Sequence, residues 1–519
     1  MPEYLHPGVY VEEIERGPKP IEGVPTSTAA FIGETERGPV RPRLVTSYKD
    51  YQRWFGGVFG LDKFMPYVVS GFFENGGKRL FVCRVADDTA TPAEAPFGAN
   101  FTVRAVGPGS WGKRVYVKID DSSTKRPGPG NTLVPVGFRL RVAYYAIPQP
   151  GGPQPNPAEW FADNSKPPYP VHAETFDDLV IDDKSPDFFE KRLLDSSALV
   201  KLIRAPAAGP AELPEKKMSA LTVGGVEGGA LDKADYEGEA IAPRLEPQGL
   251  AALKLDPYRE VALVYAPAVP YDFAKAVVSH CENLKYRFAV VDPEKTINPG
   301  TFQPRSAITD TKYAALYYPW IVVSDPQSGA RKIVPPGGHT LGVYARTDSE
   351  RGVFKAPANE ILRGALDLTA DTDDGTQDNL NPRGVNAIRL FPERGIRVWG
   401  ARTLSSDGLW KYVSVRRLFI FLERSIYEGT QWVVFEPNDD RLWARVVDTI
   451  RLFLRSQWRL GALYGRTEQE AFFITCDRTT MTQDDILNGR LICEIGIAPV
   501  RPAEFVIFRI FQHTAEAQT

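Results

Sequence analysis

The sequence predicts a multidomain α/β chain with a β-rich insertion, an α+β C-terminal domain and extended strand arms at the two ends. Three observations predict it. A strand–helix–strand pattern over residues 260–292 requires a parallel sheet. Residues 97–145 carry strands and turns with two-residue alternation. Each terminal region has one short β-prone run with no sheet partner nearby in sequence. The 519 residues exceed a single ordinary core, and at roughly 150 residues per domain about three or four units are expected.

Taken in order, Pro7-Gly8-Val9-Tyr10-Val11-Glu12-Glu13-Ile14 reads as one short strand, and Pro18, Pro20 and Pro25 then favour an extended arm over a helix. Ala29 to Gly33 is a buried-strand candidate. Ser47 is placed to cap a helix through Tyr48, Tyr51, Trp54 and Phe55. Tyr67 to Asn75 gives a second helix closed by Gly76-Gly77, and Lys78 to Val85 the next strand. The β-rich stretch follows, with strands at 101–106, 114–119 and 138–143, then a Pro-rich surface stretch from Pro148 to Pro170. Alternation returns after Pro214: a strand over 260–266, a helix capped by Asp272 through Leu284, and a strand over 287–292.

The final part holds two strong helices. One is expected from about Leu409 to Glu428, with Val413, Leu418, Leu422 and Ile426 on its apolar side. The other runs from about Arg441 to Ala462. At about 100° per residue, Arg441, Arg445, Arg455 and Arg459 form a stripe with Asp448 among them. Trp443, Val446, Val447, Ile450, Phe453 and Leu454 cover the other side. One face is expected to pack, and the other offers arginine forks to an acidic partner. The run Ala503-Glu504-Phe505-Val506-Ile507-Phe508 is strand-like and precedes a polar tail.

Composition excludes several classes. Lys+Arg is 62 and Asp+Glu 65, a net charge of −3, so no overall field attracts nucleic acid or an anionic membrane. The charges are unevenly spread: from Arg383 onward Lys411 is the only lysine, while arginine is frequent. The N-terminal residues have no basic-then-apolar signal pattern, and no apolar run approaches the roughly 20 residues of a membrane span. A chain made in the cytoplasm is expected. Cys83, Cys281, Cys476 and Cys493 are distant in sequence and form no CxxC, so buried free thiols are expected.

Catalytic motifs fail on their mechanics. Gly107-Pro108-Gly109-Ser110-Trp111-Gly112 spells a dinucleotide fingerprint, but a strand follows where the pyrophosphate needs a helix N-terminus. Gly224-Gly225-Val226-Glu227-Gly228-Gly229 lacks the lysine of a phosphate loop and reads as a junction loop. His6, His172, His280, His339 and His513 have no metal-ligand spacing. Ser110 lacks the nucleophile-elbow context. Asp371-Thr372-Asp373-Asp374-Gly375 lacks the closing glutamate of a calcium loop and reads as a solvated acidic loop. No catalytic residue, cofactor or metal is expected. The terminal strands must instead add to a sheet edge, in the same subunit or a neighbour.

A set of short strings carries a family resemblance. They are His6-Pro7-Gly8-Val9-Tyr10-Val11-Glu12-Glu13, Thr28 to Gly33 with Gly38-Pro39, Tyr313 to Trp320, Val334 to Gly338, and Ala356-Pro357-Ala358-Asn359-Glu360. Leu380-Asn381, Gly384-Val385-Asn386, Trp399 to Leu404, Tyr412 to Arg417, Phe435-Glu436-Pro437-Asn438 and Pro502 to Val506 follow in order. The chain resembles the contractile tail sheath proteins of bacteriophages and bacterial contractile injection systems. The resemblance implies a non-enzymatic subunit that stacks as six-fold rings around an inner tube and contracts to drive that tube through a target envelope. Alternatives are a static shell or tube protein, or a hydrolase.

The resemblance also implies an organisation: an N-terminal arm at 1–24, the start of the core at 25–95, a β-rich outer insertion at 96–210, a subtilisin-like α/β domain at 211–380, a C-terminal sheath domain at 381–500 and a C-terminal arm at 501–519. The implied inter-subunit strands are Val9, Tyr10, Val11, Phe505, Val506, Ile507 and Phe508, and the implied tube contacts are Arg441, Arg445, Arg455 and Arg459. Implied partners are further copies of the chain, the inner tube protein, and baseplate and tail-terminator or cap proteins. Neither nucleic-acid binding nor membrane insertion is implied. The particle would be a phage tail or an injection apparatus, released from the cell in some systems.

Overall fold

The computed structural model describes residues 20–128, 130, 132–147, 154–209, 212–239 and 247–509. The arm strand at Val9, Tyr10 and Val11 lies outside them, as do His6 and His513. The chain forms two compact units. One comprises Pro25–Arg351 with Ala356–Val413, the other Met1–Val24 with Gly352–Lys355 and Ser414–Thr519.

The larger unit is organised by a nine-stranded sheet. Its spatial order is Glu360–Ile361, Gly395–Val398, Val385–Phe391, Ala314–Tyr318, Phe288–Val291, Leu263–Tyr265, Ala29–Gly33, Leu80–Arg84 and Arg43–Val45. The six strands from Val385–Phe391 to Leu80–Arg84 run parallel, and the outer ones pair antiparallel. Ala29–Gly33 and Ala314–Tyr318 are buried at every residue, as expected of parallel strands covered on both faces. Helix Tyr271–Leu284 crosses between Leu263–Tyr265 and Phe288–Val291. The expected cap, Asp272, instead sits in the first turn, behind Pro270 at the N-cap, because Pro270 supplies a fixed φ at the helix entry. Ser47 caps helix Tyr48–Phe55 by accepting from the Asp50 amide.

Helices Met65–Glu74 and Gly337–Arg351 approach closely because glycines line their contact. A Cβ at Gly342 would meet the Phe72 carbonyl oxygen at 2.5 Å, and one at Gly338 the Val68 carbonyl oxygen at 2.5 Å. The imidazole of His339 lies over Gly71. Arg287, fully buried, donates to the carbonyls of Val261 (3.1 Å), Leu253 (2.7 Å) and Tyr258 (2.8 Å). It thereby fastens the loop before Leu263–Tyr265 to the strand that follows in the sheet.

The same unit contains two four-stranded antiparallel sheets. One orders His172–Leu179, Phe138–Tyr144, Val115–Asp121 and Met218–Ala220; the other Val200–Arg204, Phe101–Ala105, Thr91–Pro96 and Val223–Val226. Alternate residues from both, including Val103, Val117, Leu140 and Val142, share one apolar core around Trp111, which makes a sandwich. Its strands begin at Thr91 and end at Val226. Gly224 and Gly225 are therefore part of an edge strand, not of a junction loop: with φ of 69° and 68° they fit a kink against Pro92 and Ala93 that a side chain would block.

In the smaller unit, helices Val413–Gly429 and Asp440–Arg459 bury Leu418, Leu422, Leu442, Trp443, Val446, Ile450, Phe453 and Leu454 in one cluster, each side chain contributing about 1.5–3 kcal/mol. The first helix begins four residues later than the sequence predicts, and Leu409 is exposed. Ile21 and Val24 are buried on this unit; Ile21 packs over Gly429, and the Val24 amide donates to Ser425 Oγ at 3.1 Å. Residues 21–24 are thus an anchored segment, not a loose tether. The unit's sheet is the two-stranded hairpin Phe472–Thr475 and Glu494–Ile497.

Candidate functional site

In a parallel sheet, ligands favour the carboxyl ends of the strands where strand order reverses. Here that point lies between Ala29–Gly33 and Leu263–Tyr265, and a crevice of about 600 Å³ opens beside it, lined by Ala268, Pro293, Lys295, Trp320 and Lys332 among others. A second hollow continues it along Gly33, Glu34 and Lys63. No serine, cysteine or histidine lines either one, so neither assembles a nucleophile–histidine pair. Asp292 lies nearby but is buried, accepting from Tyr265 Oη (2.6 Å) and the amides of Ala268 (3.0 Å) and Gly337 (3.2 Å). Burial pushes its carboxyl up to about 6. It is a structural tie between loops.

The remaining chemical candidates are also occupied. The Ser110 amide, where a phosphate oxygen would sit, donates to Glu227 Oε1 at 2.9 Å. The two glycine-rich strings therefore close on each other. His280 contacts the Arg287 guanidinium at 2.7 Å, and burial lowers it to about 3; burial lowers His339 to about 4. These are neutral core imidazoles. Asp373 caps the short helix Asp374–Leu380 by accepting from Thr376, so the acidic string is a helix start, not a free loop. Among the described residues no group of His, Cys, Asp or Glu could hold a metal ion, and no helix is long and apolar enough to cross a membrane.

The unusual chemistry is on the smaller unit's surface. Phe505, Val506, Ile507 and Phe508 are exposed at 70%, 69%, 78% and 84%, in a stretch with no strand partner among the described residues. Four consecutive exposed apolar residues form a patch that soluble surfaces avoid unless it is covered. The hairpin Phe472–Thr475/Glu494–Ile497 has two outer edges, and a lone two-stranded ribbon is marginal in water. Phe473 lies across Gly496 and shields that backbone on the outer face. Phe435 is fully exposed with φ of 70°, strained for an aromatic residue, and Val434 and Tyr427 beside it in sequence and on the preceding helix are also exposed.

The arginine helix differs in detail from four free forks. Arg455 binds Glu468 bidentately, Nε to Oε2 at 2.7 Å and Nη2 to Oε1 at 3.2 Å, which lowers the Glu468 carboxyl. Arg445 lies 3.7 Å from Glu436 and stacks over Trp432 at 4.6 Å. Arg441 and Arg459 are exposed and make no ion pair among the described residues. Leu452, half exposed, stands within the stripe. Sequence reasoning missed the hairpin edges, Phe435 and the Ile21/Val24 anchor. Alternation in Phe472-Phe473-Ile474-Thr475 was the available signal for the first.

An exposed apolar segment on a unit with a two-stranded hairpin is a surface suited to association. The comparisons make this particular. Residues 232–404 match the phage tail sheath protein central domain and residues 405–513 the phage tail sheath C-terminal domain, a run without a gap over more than half of the chain. The tail sheath protein of Salmonella phage ViI is 25% identical over 45% of this chain and 40% of its own length. That of Enterobacteria phage T4 is 22% identical over 40% of this chain and 31% of its own length. The chain spans less than half the length of the curated relatives it matches.

Among solved structures, the sheath of PVC, an extracellular contractile injection system, in its contracted state aligns over 99% of both chains with a TM-score of 0.58 and 24% identity. The sheath tail protein of Listeria innocua aligns over 92% of this chain and 96% of its own with a TM-score of 0.57 and 12% identity. The chain belongs to the phage tail sheath family, a family of structural sheath proteins.

Proposed function

We propose that this chain is a structural subunit of a contractile sheath, polymerising as stacked six-fold rings around an inner tube and shortening to drive that tube through a target envelope. The observation that carries the reading is the apolar segment at Phe505, Val506, Ile507 and Phe508, held on the unit whose two-stranded hairpin has no further strand partner among the described residues. A strand added in trans gains roughly 0.5–1.5 kcal/mol net per hydrogen bond and covers the apolar side chains as well. Residues 1–19 lead into the anchor at Ile21 and Val24 on this same unit, so both arms would join copies while the larger domains slide and rotate. Val9, Tyr10 and Val11 are the proposed N-terminal strand.

The proposed organisation keeps a β-rich insertion and a subtilisin-like α/β domain, with the limits at 96 and 210 moved out to Thr91 and Val226, where the sandwich strands begin and end; subtilisin-like describes fold and carries no peptidase chemistry. The tube contact is assigned to Arg441, Arg445, Arg455 and Arg459. Exposed ion pairs worth roughly 0.2–1 kcal/mol each suit a contact that must release during contraction. The extended lattice would be metastable, held behind a barrier until a baseplate trigger. Baseplate and tail-terminator or cap proteins would bind the ends, and the particle would assemble in a bacterial cytoplasm.

The test compares the full chain with a variant lacking residues 1–20 by negative-stain electron microscopy. The full chain is expected to give long tubes in two lengths and diameters, and the truncated chain folded subunits without tubes. Tubes of one fixed diameter favour a static shell. Intact tubes from the truncated chain refute the role of the N-terminal strand.

A further inference from the structure

Cys476 and Cys493 are separated in sequence and belong to no CxxC motif, yet the fold sets them face to face. The hairpin pairs Phe472 with Ile497, Ile474 with Ile495 and Thr475 with Glu494. One step further in the same register, Cys476 opposes Cys493. Alternate strand residues share a face, so the two thiols extend the inward row formed by Phe472/Ile497 and Ile474/Ile495, and both belong to the same apolar cluster. The two thiols lie near enough to influence each other electrostatically. Directly opposed residues in an antiparallel pair have Cα atoms about 4.5–5.5 Å apart, within the roughly 4.4–6.8 Å that a disulfide spans. All four cysteines are free in this structure.

We propose that Cys476 and Cys493 are a redox-reactive pair that closes into a disulfide on contact with a disulfide oxidant, locking the base of the 477–492 excursion and the strand from which the C-terminal arm departs. The reaction is thiol–disulfide exchange. The Cys493 thiolate, on the more exposed residue of the pair, attacks one sulfur of oxidised glutathione, forming a mixed disulfide and expelling one glutathione thiolate. The Cys476 thiolate then attacks the Cys493 sulfur and expels the second. One protein S–S bond forms as the glutathione S–S bond breaks. Two electrons pass to the reagent, and the two thiol protons end on the released glutathiones.

Burial holds both thiols protonated, with Cys493 pushed up to about 12. The pair therefore stays reduced in a reducing cytoplasm, and its oxidation accelerates as pH rises because the thiolate is the nucleophile. Cys83 and Cys281, buried in the larger unit, have their thiols raised by burial as well.

The experiment uses the full chain purified under reducing conditions and incubated with oxidised glutathione from neutral to alkaline pH. The expected result is a fall in titratable thiols, measured after denaturation, from four to two, faster at higher pH. Non-reducing peptide mapping then joins the Cys476 peptide to the Cys493 peptide, and Cys493→Ser forms no such cross-link. Four thiols persisting at every pH, a stable glutathione adduct without a cross-link, or a bridge joining another pair would overturn the proposal. Should Cys493→Ser not fold, trypsin cleavage of the oxidised wild-type chain at the exposed Arg478 and Arg490 decides. The flanking fragments stay linked on a non-reducing gel if the bridge exists and separate if it does not. None of these readouts depends on polymerisation, so they stand apart from the sheath reading.

Discussion

The large parallel sheet and the small hairpin solve the same problem in opposite ways. The nine-stranded sheet ends in antiparallel strands on both sides, buries its central strands completely, and fills its connections with satisfied polar groups such as Arg287, Asp292 and Asn386. Among the described residues the hairpin's two edges have no further strand partner, and the same unit carries an apolar segment, Phe505 to Phe508, that pairs with no strand. A closed element stores stability within one chain. An open one reserves its hydrogen bonds for another chain. Substitutions in the first should therefore change folding, and substitutions on the surface of the second unit should change assembly with folding intact.

The sharpest way to break this contrast is Arg287→Met. It removes the guanidinium from the carbonyls of Val261, Leu253 and Tyr258; Tyr258 keeps the Val261 amide at 3.2 Å, and the other two lose this donor at about 1–3 kcal/mol for each buried group. Chemical denaturation should register a loss of several kcal/mol in the larger unit, and an unchanged midpoint would contradict the role given to this guanidinium.

Asp292 comes next and gives a pH signature. Its carboxyl is raised from 3.8 to about 6 by burial. The folded state therefore holds the proton more tightly than the unfolded state. The group's favourable contribution is complete below its ordinary value and is lost as pH rises through about 6. The span corresponds to roughly 3 kcal/mol. Asp292→Asn is expected to flatten the stability curve over this window; equal slopes in the variant and the parent would count against it.

A smaller loss, about 1–3 kcal/mol from overpacking, is expected for Gly342→Ala, since the new methyl meets the Phe72 carbonyl between two helices. The thermal midpoint reports it. The smallest effect on folding, within about 0.5 kcal/mol for a surface change, belongs to Arg441→Glu with Arg459→Glu. Here the readout is co-sedimentation with the inner tube protein, which should fall while the melting curve stays in place. Full tube loading would remove these residues from the proposed contact.

Much of the fold was legible where one physical signal dominates locally. Ser47 capped its helix, the two-residue alternation marked Phe138–Tyr144, and the apolar face of Asp440–Arg459 appeared at its helical period. The family strings were legible as strings, but their purpose was not. Asn386 binds the Leu316 carbonyl at 3.1 Å and the Arg402 carbonyl at 2.8 Å, while Arg402 reaches the Asn381 carbonyl at 2.8 Å. Four of those strings are thus tied together around one strand. The candidate surfaces were half legible. The apolar run at 505–508 and the arginine stripe could be read, but the Glu468 and Glu436 pairings that engage Arg455 and Arg445 could not.

By itself the sequence determined the alternating α/β character, the β-rich stretch, the two late helices and the sheath resemblance, because periodicity, capping and motif order are local or linear properties. Only the tertiary structure decided which groups meet: the glycine contacts of two helices, Glu227 on the Ser110 amide, Ile21 and Val24 on the C-terminal unit, and Cys476 opposite Cys493. These depend on the register of strands and the crossing of helices, and register is set by packing between segments far apart along the chain.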